Sequence, residues 1–252
     1  MSLQVFNSLV EADAFYLQGS TWILNAYPFT VSCWYRAVDT VTSGHCCVCL
    51  AGEALNTNTI RMKAGNGLAS LQVNTDTVST PAIGVVRGAW CHIAGVGASA
   101  TSRSAYIQGG NKTTSVVNVT CTSTAVARIG SSGNTNTGAH GFVAEIAVWN
   151  TALDDTQIAD LARGRNPQMF SLPNLIFYAP LKSTRRNSMN RPAIINRPAS
   201  GSTITFVPTG GEIFISPEHP PVQDLQTSRK SYFMPDLKAY YRQNFFPLIM
   251  ES

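Results

Sequence analysis

The amino-acid sequence predicts an all-β protein: a two-layer antiparallel sandwich of the jelly-roll type, with one short helix and an extended C-terminal arm. Three observations support this prediction. Short segments in which apolar and polar residues alternate recur along the first two thirds of the chain, as in strands that bury one face. Clusters of Gly, Asn and Ser separate these segments, as in turns. One segment has the apolar spacing and the end residues of a helix.

The strands are expected in chain order. Along residues 29–38, Phe29, Val31, Cys33 and Tyr35 alternate with Thr30, Ser32, Trp34 and Arg36. Further strands are predicted at 46–52, 59–65, 68–74, 90–96 and 125–130. Residues 104–119 are typical of a hairpin that turns at Gly109 and Gly110. A polar loop, Ser131–Ala139, follows the strand at 125–130.

The most informative stretch, Gly141–Gly164, is predicted to be one strand followed by one helix. The strand is expected to place Phe142, Ala144, Ile146 and Val148 on one face and Val143, Ala147 and Trp149 on the other. Because both faces are apolar, neighbouring elements should cover the strand on both sides.

The helix that follows has recognisable ends. Asp154 is expected to be its N-cap, and Gln157, three residues later, completes a capping box. Ile158 and Leu161 form a narrow apolar stripe, and Gly164 ends the helix.

Composition limits the class of protein. The chain has 252 residues, of which 44% are hydrophobic and 13% charged, so it can form one large all-β domain or two small ones. Charged residues make up about 25% of an average soluble domain, which is more than in this chain. A surface with so few charges suits a protein packed among neighbours or facing sugars.

No apolar run reaches the ~18 residues of a membrane span. The N-terminal segment does not have the pattern of a secretory signal, so the six cysteines are expected to be thiols.

Four motifs resemble a known family: FTVSCWYRA, WCHIAGVGASATSRSAYIQGG, ARIGSS and GFVAEIAVWNTALDDTQIADLARGRNP. In these motifs the chain resembles the laminin-G-like, concanavalin A-type jelly roll, and in particular the versions carried by tailed-bacteriophage structural proteins. The resemblance covers roughly residues 5–221. It implies a lectin-like fold and a place in a virion, assembled in the host cytoplasm.

Three regions follow from the pattern. Residues 1–181 are predicted to form the laminin-G-like sandwich. Residues 182–221 are an extended arm rich in Pro and Arg, in which 203–208 and 212–216 form a short hairpin across two glycines. Residues 222–252 form an aromatic tail.

The basic residues concentrate towards the C-terminus. Residues 1–160 contain 7 Lys or Arg against 9 Asp or Glu, whereas residues 161–252 contain 11 against 5. Arg185 and Arg186 belong to this basic region, but no interleaved aromatic residues accompany them, so nucleic-acid binding is disfavoured. A solvated linker or an electrostatic contact with an acidic neighbour is favoured instead.

The acidic residues do not indicate catalysis. A retaining glucanase of this fold needs two carboxylates about 5 Å apart, usually carried by alternate positions of one strand. The nearest match is Glu11-Ala-Asp13, but Phe15 occupies the third position and Glu145 stands alone. The helix carries Asp154, Asp155 and Asp160 as cap and surface residues. The sequence therefore predicts a protein that is not an enzyme.

No metal or cofactor is predicted. In the run His45-Cys46-Cys47-Val48-Cys49, a regular strand places Cys47 and Cys49 on the face of His45 and Cys46 on the other, and the cysteines are interpreted as small core residues. His92 is interpreted as a half-buried, hydrogen-bonded histidine rather than a base. The candidate calcium ligands Asp39, Glu53 and Asp76 are too scattered to form a site.

The aromatic tail is a candidate docking surface. At helical spacing, Leu237, Tyr241 and Phe245 form an apolar stripe, and Tyr240 and Phe246 adjoin it. With Arg185 and Arg186, these residues are the predicted contacts with partners. A helix that folds back on its own sandwich explains the stripe equally well.

Two functions remain open. The main hypothesis is a virion structural protein, a capsid decoration or cement protein or a head–tail accessory subunit, which acts through contacts with other virion proteins in a homo-oligomer or ordered array. The alternative is a carbohydrate-binding adhesin that recognises a host surface glycan. Its candidate glycan residues are Asn134, Asn136 and His140, in and beside the polar loop. No membrane partner is expected.

Overall fold

Two antiparallel sheets lie face to face and enclose the main core. The structure, a computed structural model, describes residues 2–5, 16–24, 27–38, 45–52, 58–82, 84–122, 124–131, 138–181, 195–196, 207–209 and 214–216. All of these belong to one compact unit, Met1–Val222.

The strands of the structure include those predicted between residues 29 and 149. They are β1 (Ser2–Val5), β2 (Tyr16–Leu24), β3 (Phe29–Ala37), β4 (His45–Ala51), β5 (Ile60–Gly65), β6 (Leu68–Val73), β7 (Asp76–Ser79), β8 (Cys91–Ser99), β9 (Ser102–Ile107), β10 (Gly110–Ser115), β11 (Thr124–Ile129), β12 (Gly141–Trp149), β13 (Leu175–Ala179), β14 (Ile195–Asn196), β15 (Val207–Thr209) and β16 (Phe214–Ser216). The helix α1 spans Asp155–Ala162, and two 3₁₀ turns follow it at Pro167–Met169 and Leu172–Asn174.

Two sheets contain these strands. Sheet A has the order β10-β9-β8-β3-β12-β1-β16, and β13 pairs with both β12 and β14. Sheet B has the order β15-β2-β11-β4-β5-β6-β7. The predicted two-layer antiparallel sandwich is therefore confirmed.

The alternation predicted for β3 is confirmed, and it separates the two faces of sheet A. Phe29, Val31, Cys33 and Tyr35 lie in the main core between the sheets. Thr30, Ser32 and Trp34 are also buried but do not belong to that core. The outer face of sheet A is therefore covered along this strand.

The faces predicted for β12 are wrong in its first half, because the strand contains a β-bulge. The register with β3 shifts between Ala144 and Ala147, and Glu145 has a φ of +51°. The extra residue reverses the alternation, so Val143 joins Ile146 and Val148 in the main core. Coverage on both faces is confirmed, since every residue of β12 is buried.

The helix has the predicted ends. The Asp154 carboxylate accepts a hydrogen bond from the Gln157 N–H, and the Gln157 side chain accepts one from the Asp154 N–H, which completes the capping box. Ile158 and Leu161 are buried against the outer face of sheet A. Gly164, just beyond the helix, has a φ of +89°, a conformation that favours glycine.

One predicted turn is displaced by one residue. The hairpin of β9 and β10 turns at Gln108 and Gly109, which have φ values of +53° and +75°. Gly110 is already the first residue of β10. The left-handed conformation at Gln108 is rare for a residue with a side chain, so the Gly-Gly pair was the expected turn.

The hairpin predicted between 203–208 and 212–216 is wrong for the described residues. Val207–Thr209 pairs with β2 in sheet B, whereas Phe214–Ser216 pairs with β1 in sheet A. Each segment thus lies at the end of a different sheet. The boundaries predicted at 181 and 221 stay predictions.

The described part of the chain contains no helix that is both long enough and apolar enough to cross a membrane.

Candidate functional site

Most of the predicted contact residues lie outside the described residues. This applies to Arg185, Arg186, Leu237, Tyr240, Tyr241, Phe245, Phe246, Asn134 and Asn136. It also applies to Glu11, Asp13, Phe15, Asp39 and Glu53. Of the candidate glycan residues, His140 is described, and its surroundings define one end of the sandwich.

We name this end the rim, and define it by Arg36, His45, Arg87, Trp90 and His140. It forms because β3 pairs antiparallel with β8 on one side and with β12 on the other. The end of β3 therefore lies beside the beginnings of both neighbours, which are two strand spacings, ~10 Å, apart. Trp90 immediately precedes β8, and His140 immediately precedes β12.

His140 is held by its backbone. Its carbonyl oxygen accepts hydrogen bonds from the Tyr35 hydroxyl at 3.0 Å and from the Val38 N–H at 3.2 Å. The Nδ1 atom of His45 lies 2.9 Å from the Tyr35 hydroxyl and 3.3 Å from the His140 nitrogen. Both imidazoles remain half-buried, with their ring centroids 6.4 Å apart. Two imidazoles are thus presented at a fixed place on the rim.

Trp90 and Arg36 form the other half of the rim. Cys91 lies in the main core, so the alternation along β8 directs Trp90 to the opposite, outer face of sheet A. Arg36 pairs with Phe142 across β3 and β12, and its guanidinium carbon lies 5.2 Å from the centroid of the Phe142 ring. Because Tyr35 lies opposite Cys91, Arg36 occupies the position of β3 next to Trp90.

The Trp90 indole is half-buried. Its Nε1–H is buried and has no hydrogen-bond acceptor among the described residues. Such a donor is costly to leave unpaired. The exposed Arg87 also belongs to the rim, since its Nε donates to the Val38 carbonyl at 2.8 Å.

A second polar group lies on the outer face of sheet B. We name it the cysteine–cation cluster: Cys46, Cys49, Arg61, Lys63 and Arg128. Cys49 lies directly opposite Arg61 on β5 and Arg128 on β11, and Cys46 lies opposite Lys63. Arg61 and Arg128 are only 7% and 8% exposed. These cations are far more buried than is usual for arginine.

The opposite faces predicted for Cys46 and Cys47 are confirmed, but the face predicted for Cys49 is wrong, because β4 also contains a bulge. The register between β4 and β5 shifts between Cys46 and Val48. Cys46 and Cys49 consequently pack together with Ala51 on the outer face, whereas Cys47 lies in the main core. All three cysteines are buried, as the interpretation as small core residues requires, but Cys46 and Cys49 belong to a small outer cluster and not to the main core.

His92 is more deeply buried than predicted. Only 1% of the residue is exposed, and its Nε2 lies 2.9 Å from the Ser32 hydroxyl. Its ring packs edge-on against Trp34, and no described residue bonds to its Nδ1. Burial lowers the pKa of His92 to about 3, so the imidazole is neutral at physiological pH.

The described carboxylates have structural partners. Glu145 accepts from Tyr178, Asp76 pairs with Arg103, Asp154 caps α1, Asp155 accepts from Tyr106 and Lys112, and Asp160 pairs with Arg163 and Arg165. Within the same residues, no three or more His, Cys, Asp or Glu side chains are grouped to hold a metal ion. Cations, the helix N-terminus or a tyrosine hydroxyl thus engage each of these acids.

Sequence reasoning missed Trp90 and the cysteine–cation cluster. Trp90 is separated from His140 by 50 positions, and only the pairing of β8, β3 and β12 brings both to one end. Cys46 and Cys49 have a C-x-x-C spacing that could have drawn attention to them.

A comparison with protein families assigns the chain to a known family. Residues 12–159 match the family model described as the concanavalin A-like lectin/glucanases superfamily. The resemblance to this jelly roll is therefore confirmed, and the phage type stays a prediction. A comparison with curated proteins found no match.

Two solved structures show the same fold. A protein from Bacteroides ovatus, to which carbohydrate binding is attributed, aligns over 86% of this chain with a TM-score of 0.60 and 13% identity. This chain spans 60% of the length of that protein. A heptameric SAP-like pentraxin from Limulus polyphemus aligns over 64% of this chain and 80% of its own, with a TM-score of 0.52 and 18% identity. At these identities the likeness concerns the fold alone.

Proposed function

Because the chain belongs to the concanavalin A-like lectin/glucanase superfamily, we propose that it is a non-catalytic carbohydrate-binding protein whose glycan site is the rim. The observation that carries the proposal is the half-buried Trp90 indole, an aromatic ring that remains partly exposed at the rim. It lies at the same end of the sandwich as Arg36 and His140.

The chemistry of the rim suits a sugar. A ligand site combines an apolar or aromatic surface with a few polar groups in fixed positions. The flat face of the Trp90 ring can pack against the C–H face of a pyranose. The Arg36 guanidinium and the imidazoles of His45 and His140 are half-buried polar groups at the same end. These groups can form hydrogen bonds with the hydroxyl groups of the sugar. His140 is also one of the three residues that the sequence predicts to contact a glycan.

The fold is consistent with this role. The Bacteroides ovatus protein of the same fold has carbohydrate binding attributed to it. Paired carboxylates, which glycoside hydrolysis needs, are not formed by the described acids, each of which is engaged as a cap or by Arg, Lys or Tyr. Binding without hydrolysis is therefore the proposed activity.

A glycan array probed with the purified full-length chain tests the proposal. Any glycan that binds is then titrated while the intrinsic tryptophan fluorescence is followed. We expect Trp90→Ala to weaken binding by about tenfold or more, as for an aromatic residue central to a site.

Trp149→Phe is the matched control, because Trp149 is buried beneath α1 and donates to the Phe170 carbonyl. This variant should lose stability but keep the affinity. An array without any binding, or a folded Trp90→Ala variant with unchanged affinity, would contradict the glycan site.

The virion structural role is a second proposal, favoured by the motifs shared with tailed-bacteriophage structural proteins and by the low content of charged residues. In this proposal the chain is located in the virion and binds other virion proteins through Leu237, Tyr240, Tyr241, Phe245 and Phe246. Deletion of residues 236–252 should abolish incorporation into particles and leave a folded domain. Normal incorporation of the truncated chain would defeat this docking role. A virion protein that binds glycans satisfies both proposals.

A further inference from the structure

The cysteine–cation cluster has a geometry that neither proposed function explains. The bulge in β4 turns Cys46 and Cys49 to the same face of sheet B. There Cys46 and Cys49 pack together with Ala51, and the Cys46 thiol donates to the Val48 carbonyl oxygen at 3.5 Å. On a regular strand, residues three apart point to opposite faces, so the bulge creates this contact.

Positive charge surrounds the pair. Arg61 and Arg128 flank Cys49 from both neighbouring strands, and Lys63 lies opposite Cys46. The Arg61 side chain donates to Gln72 at 3.4 Å, but its Nε has no acceptor among the described residues. A cationic surrounding of this kind stabilises a thiolate over a thiol.

Because their surroundings differ, the Cys46 and Cys49 thiols have different pKa values. The neighbouring Cys46 thiol, together with Arg61 and Arg128, lowers the pKa of Cys49 to about 7 although burial opposes this. Burial raises the pKa of Cys46 well above its usual value. The core thiols differ from Cys49, since burial raises the pKa of Cys91 to about 12 and that of Cys121 to about 11. Cys49 is thus the nucleophile and Cys46 the neutral thiol beside it.

We propose that Cys46 and Cys49 are a redox-active pair that is oxidised by a small peroxide to an intrachain disulfide. The Cys49 thiolate attacks one peroxide oxygen, the O–O bond breaks, and hydroxide leaves and takes up a proton to become water. Cys49 is now a sulfenic acid. The Cys46 sulfur then attacks the Cys49 sulfur, the S–O bond breaks, and the hydroxyl leaves as water with the Cys46 proton. The two thiols lose two electrons in total, and the peroxide gains them.

Burial restricts the oxidant. Cys46 and Cys49 are 0% and 1% exposed, so a molecule the size of hydrogen peroxide fits the proposal better than a protein disulfide. The inference does not depend on glycan binding, and the two can fail separately.

The experiment treats the reduced full-length chain with hydrogen peroxide at pH 7 and follows its intact mass and its peptide map. We expect a loss of two hydrogen atoms and a crosslink between Cys46 and Cys49, which a reductant reverses. In Cys46→Ser, the mass should instead rise by one oxygen atom, as expected for a sulfenic acid on Cys49. Cys49→Ser should not react under the same conditions.

Cys47→Ala is the matched control, because Cys47 is next in sequence but faces the main core. Its oxidation should resemble that of the unaltered chain. Arg61→Met tests the role of the cation: the rate at pH 7 should fall about tenfold and recover at pH 9, because loss of the guanidinium raises the pKa of Cys49. Circular dichroism establishes that each variant is folded.

The pH dependence of the reaction in the unaltered chain supplies a readout without substitution. The rate at which hydrogen peroxide forms the crosslink should reach half its maximum near pH 7, the pKa expected for the Cys49 thiol. No mass change with peroxide, a crosslink through Cys47, or a rate that rises only above pH 9 would each overturn the proposal.

Discussion

Arg103 and Asp76 form an ion pair that joins the two sheets, with Nη2 of Arg103 on β9 2.5 Å from Oδ2 of Asp76 on β7. Arg103 is only 1% exposed. It also donates to the carbonyl oxygens of Ala100 at 2.8 Å and Val117 at 2.9 Å. Asp76, which the sequence offered as a candidate calcium ligand, is therefore the structural counter-charge of Arg103.

The first prediction concerns this pair. Asp76→Asn leaves the buried Arg103 cation without its carboxylate, so the free energy of unfolding should fall by about 3–5 kcal/mol. Urea denaturation at pH 7 measures the loss. Asp155→Asn is the control: its ion pair with Lys112 is 68% and 41% exposed at the two side chains, and such a pair contributes about 1 kcal/mol or less. Equal losses in the two variants would contradict the structural role of Asp76.

The second prediction concerns acid stability. Burial lowers the pKa of His92 from 6.5 to about 3, so the unfolded chain binds a proton that the folded chain excludes. The stability contributed by the neutral imidazole is complete above pH 6.5 and is lost as the pH falls towards 3.

In His92→Gln, which cannot be protonated, the loss of unfolding free energy between pH 7.5 and pH 5 should be smaller by about 2 kcal/mol. Parallel urea titrations at the two pH values measure the difference. An identical loss in both proteins would show that His92 is not kept neutral by burial.

The third prediction concerns the start of α1. Asp154→Ala removes the oxygen that accepts from the Gln157 N–H at 2.8 Å, so the thermal or urea stability should fall by about 1 kcal/mol. Asp154→Ser retains an N-cap oxygen and should stay within a few tenths of a kcal/mol of the unaltered chain. A loss in the serine variant as large as in the alanine variant would argue against capping.

The fourth prediction concerns the close contact of β3 and β12. A Cβ atom added to Gly141 would lie 2.2 Å from the Arg36 carbonyl oxygen, so Gly141→Ala should force the strands apart. We expect a loss of about 2 kcal/mol or more in unfolding free energy. Gly110→Ala is the matched control, because nothing lies within 4 Å of the added atom, and it should be nearly neutral. A neutral Gly141→Ala would show that this contact can relax.

Local features of this chain were predictable from its sequence. The capping box of Asp154 and Gln157 depends on residues three positions apart, and the alternation of β3 depends on the period of a strand. Both are decided by short-range backbone geometry. The two-layer sandwich is also predictable, because strands that are apolar on one face must cover each other.

The register and the partners of the strands were decided only by the tertiary structure. The bulges at Glu145 and near Cys47 reverse the side-chain alternation, and no local sequence pattern predicts them. They exist because two neighbouring strands must satisfy their hydrogen bonds on one twisted sheet. The same sheet pairing placed Trp90 at the end that carries His140, and set Cys49 between two arginines from separate strands. Sequence thus determined the layers, and the long-range pairing of strands determined which side chains meet on them.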